Sequence, residues 1–354
     1  MDKSLRLKYL AIGSLPHKDV KTAMELVRQN FDKIPFFPQL ANYNRNEDMM
    51  VQFLEGFPSY KSEKDFCVDC DSEEFCYALE EFFSDYEEII PDINSPKLEK
   101  YSISKNASST FSEFEKIISE TKPEFAKGQI TGAFTLAGVL TDNNSASLVF
   151  DETLRDIVVK HLTLKALWEI KHIKTANSET TPIIFMDEPS ISQVGTSAYL
   201  TINEDEIVNM ISEISEVIKS AGGISAIHCC GKCDWRIPIN AGVDIINFDA
   251  YSFMDNFLAY GKEISRFLND GGKIAWGLVP TLSADILKNL TINELAQKFE
   301  YGVKNLTKFG IDEKLIIENS LITSSCGAGG LSVEYANKAM TMIKELAQEL
   351  EKRF

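Results

Sequence analysis

The feature that most restricts the fold of this chain is an alternation between short apolar runs and longer amphipathic ones. The short runs are continuously apolar rather than alternating, which is typical of parallel strands covered on both faces. Eight of them stand out, at residues 9–13, 34–40, 129–134, 183–187, 224–228, 244–249, 273–279 and 315–324. The intervening segments carry helix signals: Asn203 opens one such segment and Gly222 ends it.

Eight strands that alternate with helices predict an α/β fold of the (β/α)8 TIM-barrel type. No glycine-rich dinucleotide fingerprint follows the first run, which favours the barrel over a doubly wound sheet. Residues 42–124 are too long for a connecting loop and are interpreted as an insertion after strand two, over the barrel mouth. The 354 residues are expected to form a single catalytic domain.

Charge and cysteine content exclude several classes of partner. Thirty-six basic residues against fifty-three acidic ones give a net charge of −17, which disfavours binding to nucleic acid or to a membrane surface. The N-terminus lacks the pattern of a signal peptide, and no run approaches the roughly 20 apolar residues of a spanning helix. Seven cysteines, an odd number, fit a reducing compartment. We therefore expect a cytoplasmic protein.

Polar residues cluster where the predicted strands end, which is where barrel enzymes carry their chemistry. A histidine and a thiolate are both good zinc ligands, and at the end of a strand His228 and Cys230 point to the same side. Cys326 ends the last strand and adds a third soft ligand. Asp249 is either a displaceable oxygen ligand or a helix cap. The alternative for the three soft ligands is a set of buried cysteines beside a core histidine.

Other strand ends supply candidates for substrate binding and proton transfer. Asp187 could bind a substrate ammonium, with a helix cap or a salt bridge as the alternative, and Glu188 follows it before Pro189. The remaining candidates are Ser14 and Gln39 for substrate binding and His17 for catalysis. A Cys67-x-x-Cys70 pair with Cys76 fits either a second metal site or scattered surface thiols.

Taken in order along the predicted strands, these elements resemble a known superfamily. The matching elements are Gly13-Ser14-Leu15-Pro16-His17, Pro38-Gln39-Leu40, residues 128–136, Asp187-Glu188-Pro189, His228-Cys229-Cys230, Asp249 and Cys326. The chain resembles cobalamin-independent methionine synthase and uroporphyrinogen decarboxylase, and looks like a single-barrel form of the synthase over essentially its whole length.

The resemblance implies a zinc ion held by His228, Cys230, Asp249 and Cys326, with Asp187 on the amino group of homocysteine. Asp249 stands where the synthase has glutamate, and Ala133 interrupts a motif that usually contains proline. The synthase's N-terminal barrel, which helps to bind polyglutamylated folate, has no counterpart here. Short relatives resemble methyltransferases that take methyl groups from corrinoid proteins.

The physical chemistry agrees with that activity. A free thiol has a pKa of about 8.5 and is a poor nucleophile at pH 7, whereas zinc favours the thiolate. We therefore predict a zinc-dependent methyltransferase in which a homocysteine-like thiol attacks a methyl group on methylcobalamin, a corrinoid protein or methyltetrahydrofolate.

Three alternatives remain open at this stage. A uroporphyrinogen-decarboxylase-like enzyme would need cationic groups, and only Arg45, Lys232 and Arg236 lie near the strand ends. A non-catalytic zinc protein that serves a corrinoid partner would need a fourth firm ligand, for which Cys233 is near enough in sequence. A zinc hydrolase would need a general base, which Glu188 could supply.

Overall fold

The computed structural model describes residues 4–60 and 66–354, and its centre is a parallel six-stranded sheet. The strands pair in sequence order and are β1 Phe125–Thr131, β2 Thr181–Asp187, β3 Ile224–Cys229, β4 Ile245–Phe248, β5 Lys273–Val279 and β6 Ser320–Ser324. Nearly every strand residue is buried, because helices cover one face and the other face is turned to the interior. The predicted α/β class with a parallel sheet is confirmed.

Thirteen α-helices are present in the part of the chain that the structure describes. They are α1 Val20–Asn30, α2 Glu73–Ile89, α3 Phe111–Thr121, α4 Ala133–Val139, α5 Glu152–Ala176, α6 Glu204–Ser220, α7 Arg236–Asn240, α8 Ala250–Leu258, α9 Gly261–Asn269, α10 Ala284–Asn289, α11 Ile292–Thr307, α12 Glu313–Glu318 and α13 Val333–Arg353. The signals expected at α6 are present: Asn203 and Glu206 form a capping box, and Gly222 adopts a φ of 77° beyond the last turn.

The first two predicted strands are extended segments rather than regular strands. Single parallel bridges connect them to the sheet and to each other, at Tyr9–Ile322, Ser14–Gln39 and Phe36–Lys127. The segment at residues 34–40 contains Pro35 and Pro38, which have no N–H to donate, so a continuous ladder cannot form there. Six of the eight predicted strands are therefore regular strands, and the other two segments lie between β6 and β1.

Two strand boundaries differ from the sequence prediction. The run at 129–134 was expected to be a strand, but β1 begins at Phe125 and the chain enters α4 at Ala133. The run at 315–324 begins inside α12, because the Asp312 side chain caps that helix, and only Ser320–Ser324 is strand. In both places a helix includes apolar residues that adjoin the apolar run of the strand.

The segment at residues 42–124 includes two helices. Its last helix, α3, packs near α1 and α5, and the Phe111 ring lies 5.0 Å from Phe37 and 4.6 Å from Trp168 between ring centroids. This part of the segment therefore packs against the helices and the extended segment that precede and follow it. The portion before Thr110 is additional to that pattern, and its status as a separate lobe stays a prediction.

The interior enclosed by the sheet and the two bridging segments changes from apolar to polar along the strands. Its lower part is an apolar cluster that includes Leu10, Ile12, Phe125, Ile183, Phe185, Ile245 and Leu321. Further towards the carboxyl ends of the strands the buried residues become polar, beginning with Lys127, Gln129 and Asn247. The polar end of the interior is where the predicted site residues converge.

Candidate metal and substrate site

A cavity of about 320 Å³ opens at the carboxyl ends of the strands. Six of the residues predicted for the site line it, namely Ser14, Gln39, Asp187, His228, Cys230 and Cys326. They come from segments that are far apart in sequence, and the parallel arrangement brings their ends to one edge. The structure thus brings most of the predicted site together, while the role of each residue stays a prediction.

The three predicted soft ligands form one group. The ligand atoms of His228, Cys230 and Cys326 all lie within 4.8 Å of one another. Zinc bonds to nitrogen and sulfur are roughly 2.0–2.3 Å long, so a tetrahedral ion can reach all three after small adjustments. Cys229, between the first two, is buried on the opposite face with Cys233, in the layer between sheet and helices. Because side chains alternate along the chain here, His228 and Cys230 face the cavity and Cys229 does not.

The orientation of His228 is fixed by Asn247 on the neighbouring strand β4. The amide group of Asn247 donates to Ala275 O at 2.7 Å and to Thr323 Oγ1 at 2.8 Å, so its oxygen is left to accept the Nδ1–H of His228. The other ring nitrogen, Nε2, is buried without a hydrogen-bond partner among the described residues. A neutral imidazole with a free Nε2 is the form that binds zinc, and the second hydrogen bond is the usual support for such a ligand.

The charges around the two thiols favour one thiolate. Its neighbours Cys326 and His228 outweigh burial and lower the pKa of Cys230 to about 4. The pKa of Cys326 moves the other way and rises, since Cys230 already carries the negative charge and burial adds to the effect. Burial opposes protonation of His228, but the Cys230 sulfur raises the pKa of the imidazole to about 9. The charges of Cys230 and His228 therefore stabilise each other.

Asp187 ends β2 beside this group. It is only 7% exposed, and its Oδ1 is buried without a hydrogen-bond partner among the described residues. Burial raises the pKa of this carboxyl group, and the charges of Lys127 and His228 oppose that rise. A buried carboxylate oxygen without a donor is suited to receive a cationic group of a ligand.

Asp249 lies close to the soft ligands but outside their group. Its Oδ1 accepts a hydrogen bond from Ser252 N at 2.8 Å and caps α8, while its Oδ2 is buried without a partner among the described residues. Burial raises the pKa of the carboxyl group, with a further contribution from the Cys230 charge. The helix cap is therefore present, and a role as fourth ligand stays a prediction.

Besides Asp249, two predicted site residues do not line the cavity. The Glu188 carboxylate accepts three hydrogen bonds, from Phe134 N and Thr135 N at 2.9 Å and from Thr135 Oγ1 at 2.6 Å. Burial outweighs these bonds and raises the pKa of Glu188 to about 7. Glu188 therefore holds the start of α4 instead of binding substrate, because it follows Asp187 by one position and points to the other face.

His17 is the second residue that the structure does not bring to the cavity. It is buried, and its polar neighbour is Asn337 on α13. Burial lowers the pKa of its imidazole, against the influence of Asn337 and Asp19. Pro16 turns the chain at this point, and the side chain leaves the cavity that Ser14 lines.

Ser14 and Gln39 line the cavity through well-defined contacts. Ser14 Oγ accepts a hydrogen bond from Gly329 N at 3.2 Å, and a Cβ atom on Gly327 would lie only 2.2 Å from the same Oγ. Gln39 Nε2 donates to Gln52 Oε1 at 2.9 Å. The glycines after Cys326 are thus required for the close approach of Ser14.

The segment at 42–124 contributes cavity residues that the sequence did not identify. Glu47, Asp48 and Met49 line one wall. Glu47 is wholly buried, and its carboxylate accepts hydrogen bonds from Leu40 N and Ser109 N, both at 3.0 Å. The dense polar stretch at residues 44–48 was the only available signal. A second metal site at Cys67 and Cys70 is not supported, because no such group forms among the described residues.

Comparisons with known proteins add little to this picture. No family model matches the sequence, and no curated protein matches it. Among solved structures, an endo-beta-1,4-mannanase double mutant from Cellulomonas fimi is similar with a TM-score of 0.39 and 12% identity, over 95% of this chain and 76% of that one. The structure of a modular endo-beta-1,4-mannanase from the same organism gives 0.38 and 11%, over 96% and 76%.

Similarity at that level carries no argument about function. Within the described residues, none of the helices is both long and apolar enough to cross a membrane.

Proposed function

We propose that this chain is a zinc-dependent methyltransferase that activates a homocysteine-like thiol. The methyl donor would be a methylcorrinoid, free or protein-bound, or methyltetrahydrofolate. The observation that carries the proposal is the group of His228, Cys230 and Cys326 at the floor of a cavity, with His228 Nε2 free and Asp187 beside it. The two bridging segments at residues 9–13 and 34–40 are taken as the first two of eight barrel strands.

Each residue has a distinct part in this proposal. His228, Cys230 and Cys326 would hold the zinc ion, which when bound supplies a Lewis acid that keeps a substrate thiol deprotonated. Asn247 fixes the imidazole, and Asp187 binds the substrate ammonium. The sulfur of the substrate then forms a bond to the methyl carbon, the bond from that carbon to the donor breaks, and its electron pair stays on the donor.

The cavity disfavours the alternatives. Among the residues that the structure describes, its lining contains no lysine or arginine, which a substrate with many carboxylates would require. Glu188 is held by α4 and cannot reach the cavity as the general base of a hydrolase. A closed structural zinc site would need Cys233, which is buried with Cys229 on the other face. All seven cysteines are free, in keeping with a cytoplasmic protein.

The proposal is tested by comparing two cysteine variants. Cys326→Ser should lose zinc and also lose methyl transfer from methylcobalamin to homocysteine, because one ligand of the group is removed. Cys233→Ser removes a buried thiol outside the group and should keep both properties. A Cys326→Ser protein that retains stoichiometric zinc and full activity would refute the proposed function.

A further inference from the structure

Lys127 is a buried cation that takes no part in the proposed methyl transfer. It lies on β1, is fully buried, and its ammonium donates to Gln129 Oε1 inside the barrel. The ammonium also lies 5.1 Å from the centroid of the Phe185 ring. Among the described residues it forms no ion pair with a carboxylate. Burial of an ammonium is unfavourable, so something nearby must compensate for it.

The position of Lys127 points to the site above it. In the pairing of β1 with β2, Lys127 lies opposite Ile183 and Thr131 lies opposite Asp187, so the lysine is four positions below the cavity floor. Lysine, Gln129 and Thr131 alternate with outward-facing residues and share the interior face. The long side chain therefore extends within the interior, near the polar end.

The charges that act on Lys127 are those of the site and of one outer carboxyl group. Burial lowers the pKa of Lys127 to about 8, and the negative charges of Asp187 and Glu169 oppose this effect. The ammonium therefore remains mainly protonated at pH 7. Glu169 itself is wholly buried on α5, and burial raises its pKa well above the usual range. Of the two carboxyl groups, Asp187 has the larger influence on the pKa of Lys127.

The charges of the proposed zinc and substrate complex indicate which negative charge Lys127 can balance. Two cysteine thiolates balance a zinc ion, and Asp187 balances the ammonium of the substrate. One negative charge on Asp249 faces the positive end of α8. The carboxylate and the thiolate of a homocysteine-like substrate are then left without a positive partner, and among the described residues no lysine or arginine lines the cavity to supply one.

We propose that Lys127 is a positioning residue that supplies the fixed positive charge under the cavity and stabilises the bound substrate thiolate. This inference rests on the proposed function. Lys127 does not touch the substrate, so its effect is on binding of the anion more than on the reaction. Removing the charge should weaken thiol binding, while the less stabilised sulfur remains at least as nucleophilic.

The expected consequence of removing the charge is a rise in KM without a fall in kcat. Four strand positions correspond to about 13 Å, and a unit charge at that distance, with an effective dielectric constant of about 20, changes the affinity for an anion by on the order of tenfold. We expect KM and the dissociation constant for homocysteine to rise by about that factor, with kcat unchanged or higher. A lysine with a purely structural role would lower stability without this rise in KM.

Two variants and a matched control test the inference. Lys127→Met removes the charge and the donor, whereas Lys127→Gln removes the charge but keeps a donor near Gln129. The control is Lys165→Met on α5, since Lys165 is also fully buried but donates to Ser102 O at 2.9 Å, away from the cavity. Zinc content, homocysteine binding by calorimetry, thermal unfolding, KM and kcat are measured for each protein.

The inference expects both Lys127 variants to retain zinc and to bind homocysteine about tenfold more weakly, with Lys165→Met like the wild type. Unchanged homocysteine binding in both Lys127 variants would overturn it, and so would their failure to fold when Lys165→Met folds. A wild-type protein that binds neither zinc nor homocysteine would refute the proposed function. A wild-type protein that binds both, with Lys127 variants that bind homocysteine equally well, would refute only the role of Lys127.

Discussion

The two faces of the sheet at its carboxyl edge use the same residue types in opposite ways. Asp187, on the cavity side, has a carboxylate oxygen without a donor, whereas Glu188, one position later, accepts three hydrogen bonds. Likewise Cys230 faces the cavity and Cys229 is buried between sheet and helices. Buried polar groups are normally satisfied, so of these two adjacent carboxyl groups Asp187 is the one with an oxygen left available to a ligand.

The largest expected effect distinguishes the cysteines of the two faces. Cys230→Ser should lower zinc affinity by on the order of 100-fold or more, because a zinc thiolate ligand contributes a large share of the binding free energy. Cys229→Ser is the matched control and should leave zinc affinity close to that of the wild type. Competition with a chromophoric chelator measures the zinc affinity of both variants. Equal affinities would contradict the assignment of Cys230, and not Cys229, as a zinc ligand.

The second comparison concerns the two adjacent carboxyl groups. Glu188→Ala should lower the free energy of unfolding by about 2–4 kcal/mol, because the Phe134 and Thr135 donors lose their partner inside the core. Asp187→Asn should leave stability almost unchanged but raise KM for homocysteine strongly. Urea unfolding and steady-state kinetics give the two values, and a reversal of the two phenotypes would contradict the assignment.

A smaller effect is expected at Asn247. Replacement by alanine removes the acceptor that orients His228 Nδ1–H, and loss of such a supporting group typically weakens metal binding by roughly 10–100-fold. Asn247→Ala should therefore bind zinc more weakly than the wild type and more strongly than Cys230→Ser. Zinc affinity equal to that of the wild type would mean that His228 needs no support from β4.

The last prediction is the pH dependence of stability that Glu188 contributes on the outer face. The pKa of Glu188 is raised to about 7 in the folded protein, so the folded state binds more protons than the unfolded state between about pH 4.5 and pH 7. The contribution of Glu188 to stability is therefore present at low pH and decreases as the pH rises through that window. Glu188→Gln should remove this slope from the unfolding free energy, and parallel profiles of variant and wild type would contradict it.

The sequence predicted the strands whose apolar runs coincide with regular backbone pairing, from 183–187 to 273–279. It did not predict the breaks near Pro35 and Pro38, since an apolar run does not show whether its N–H groups can form a ladder. It also missed the start of β1, because Lys127 makes that stretch polar. The negative charge of Asp187, which is distant in sequence, opposes the lowering of the pKa of this lysine by burial.

For the site, the rule that polar residues gather at strand ends identified six cavity residues. It could not give the direction of each side chain. Glu188 and His17 lie at strand ends as expected, but contacts with α4 and α13 turn them away from the cavity. Glu47 was missed because the contribution of the long segment to the cavity depends on how that segment folds back.

The central claim is that the group of His228, Cys230 and Cys326 holds zinc and presents it to a thiol. Zinc K-edge absorption of the purified protein, with and without homocysteine, tests this most directly. The account predicts zinc with two sulfur ligands from Cys230 and Cys326, and one further sulfur when homocysteine is added. A coordination shell that homocysteine leaves unchanged, or a protein that binds no zinc, would contradict it.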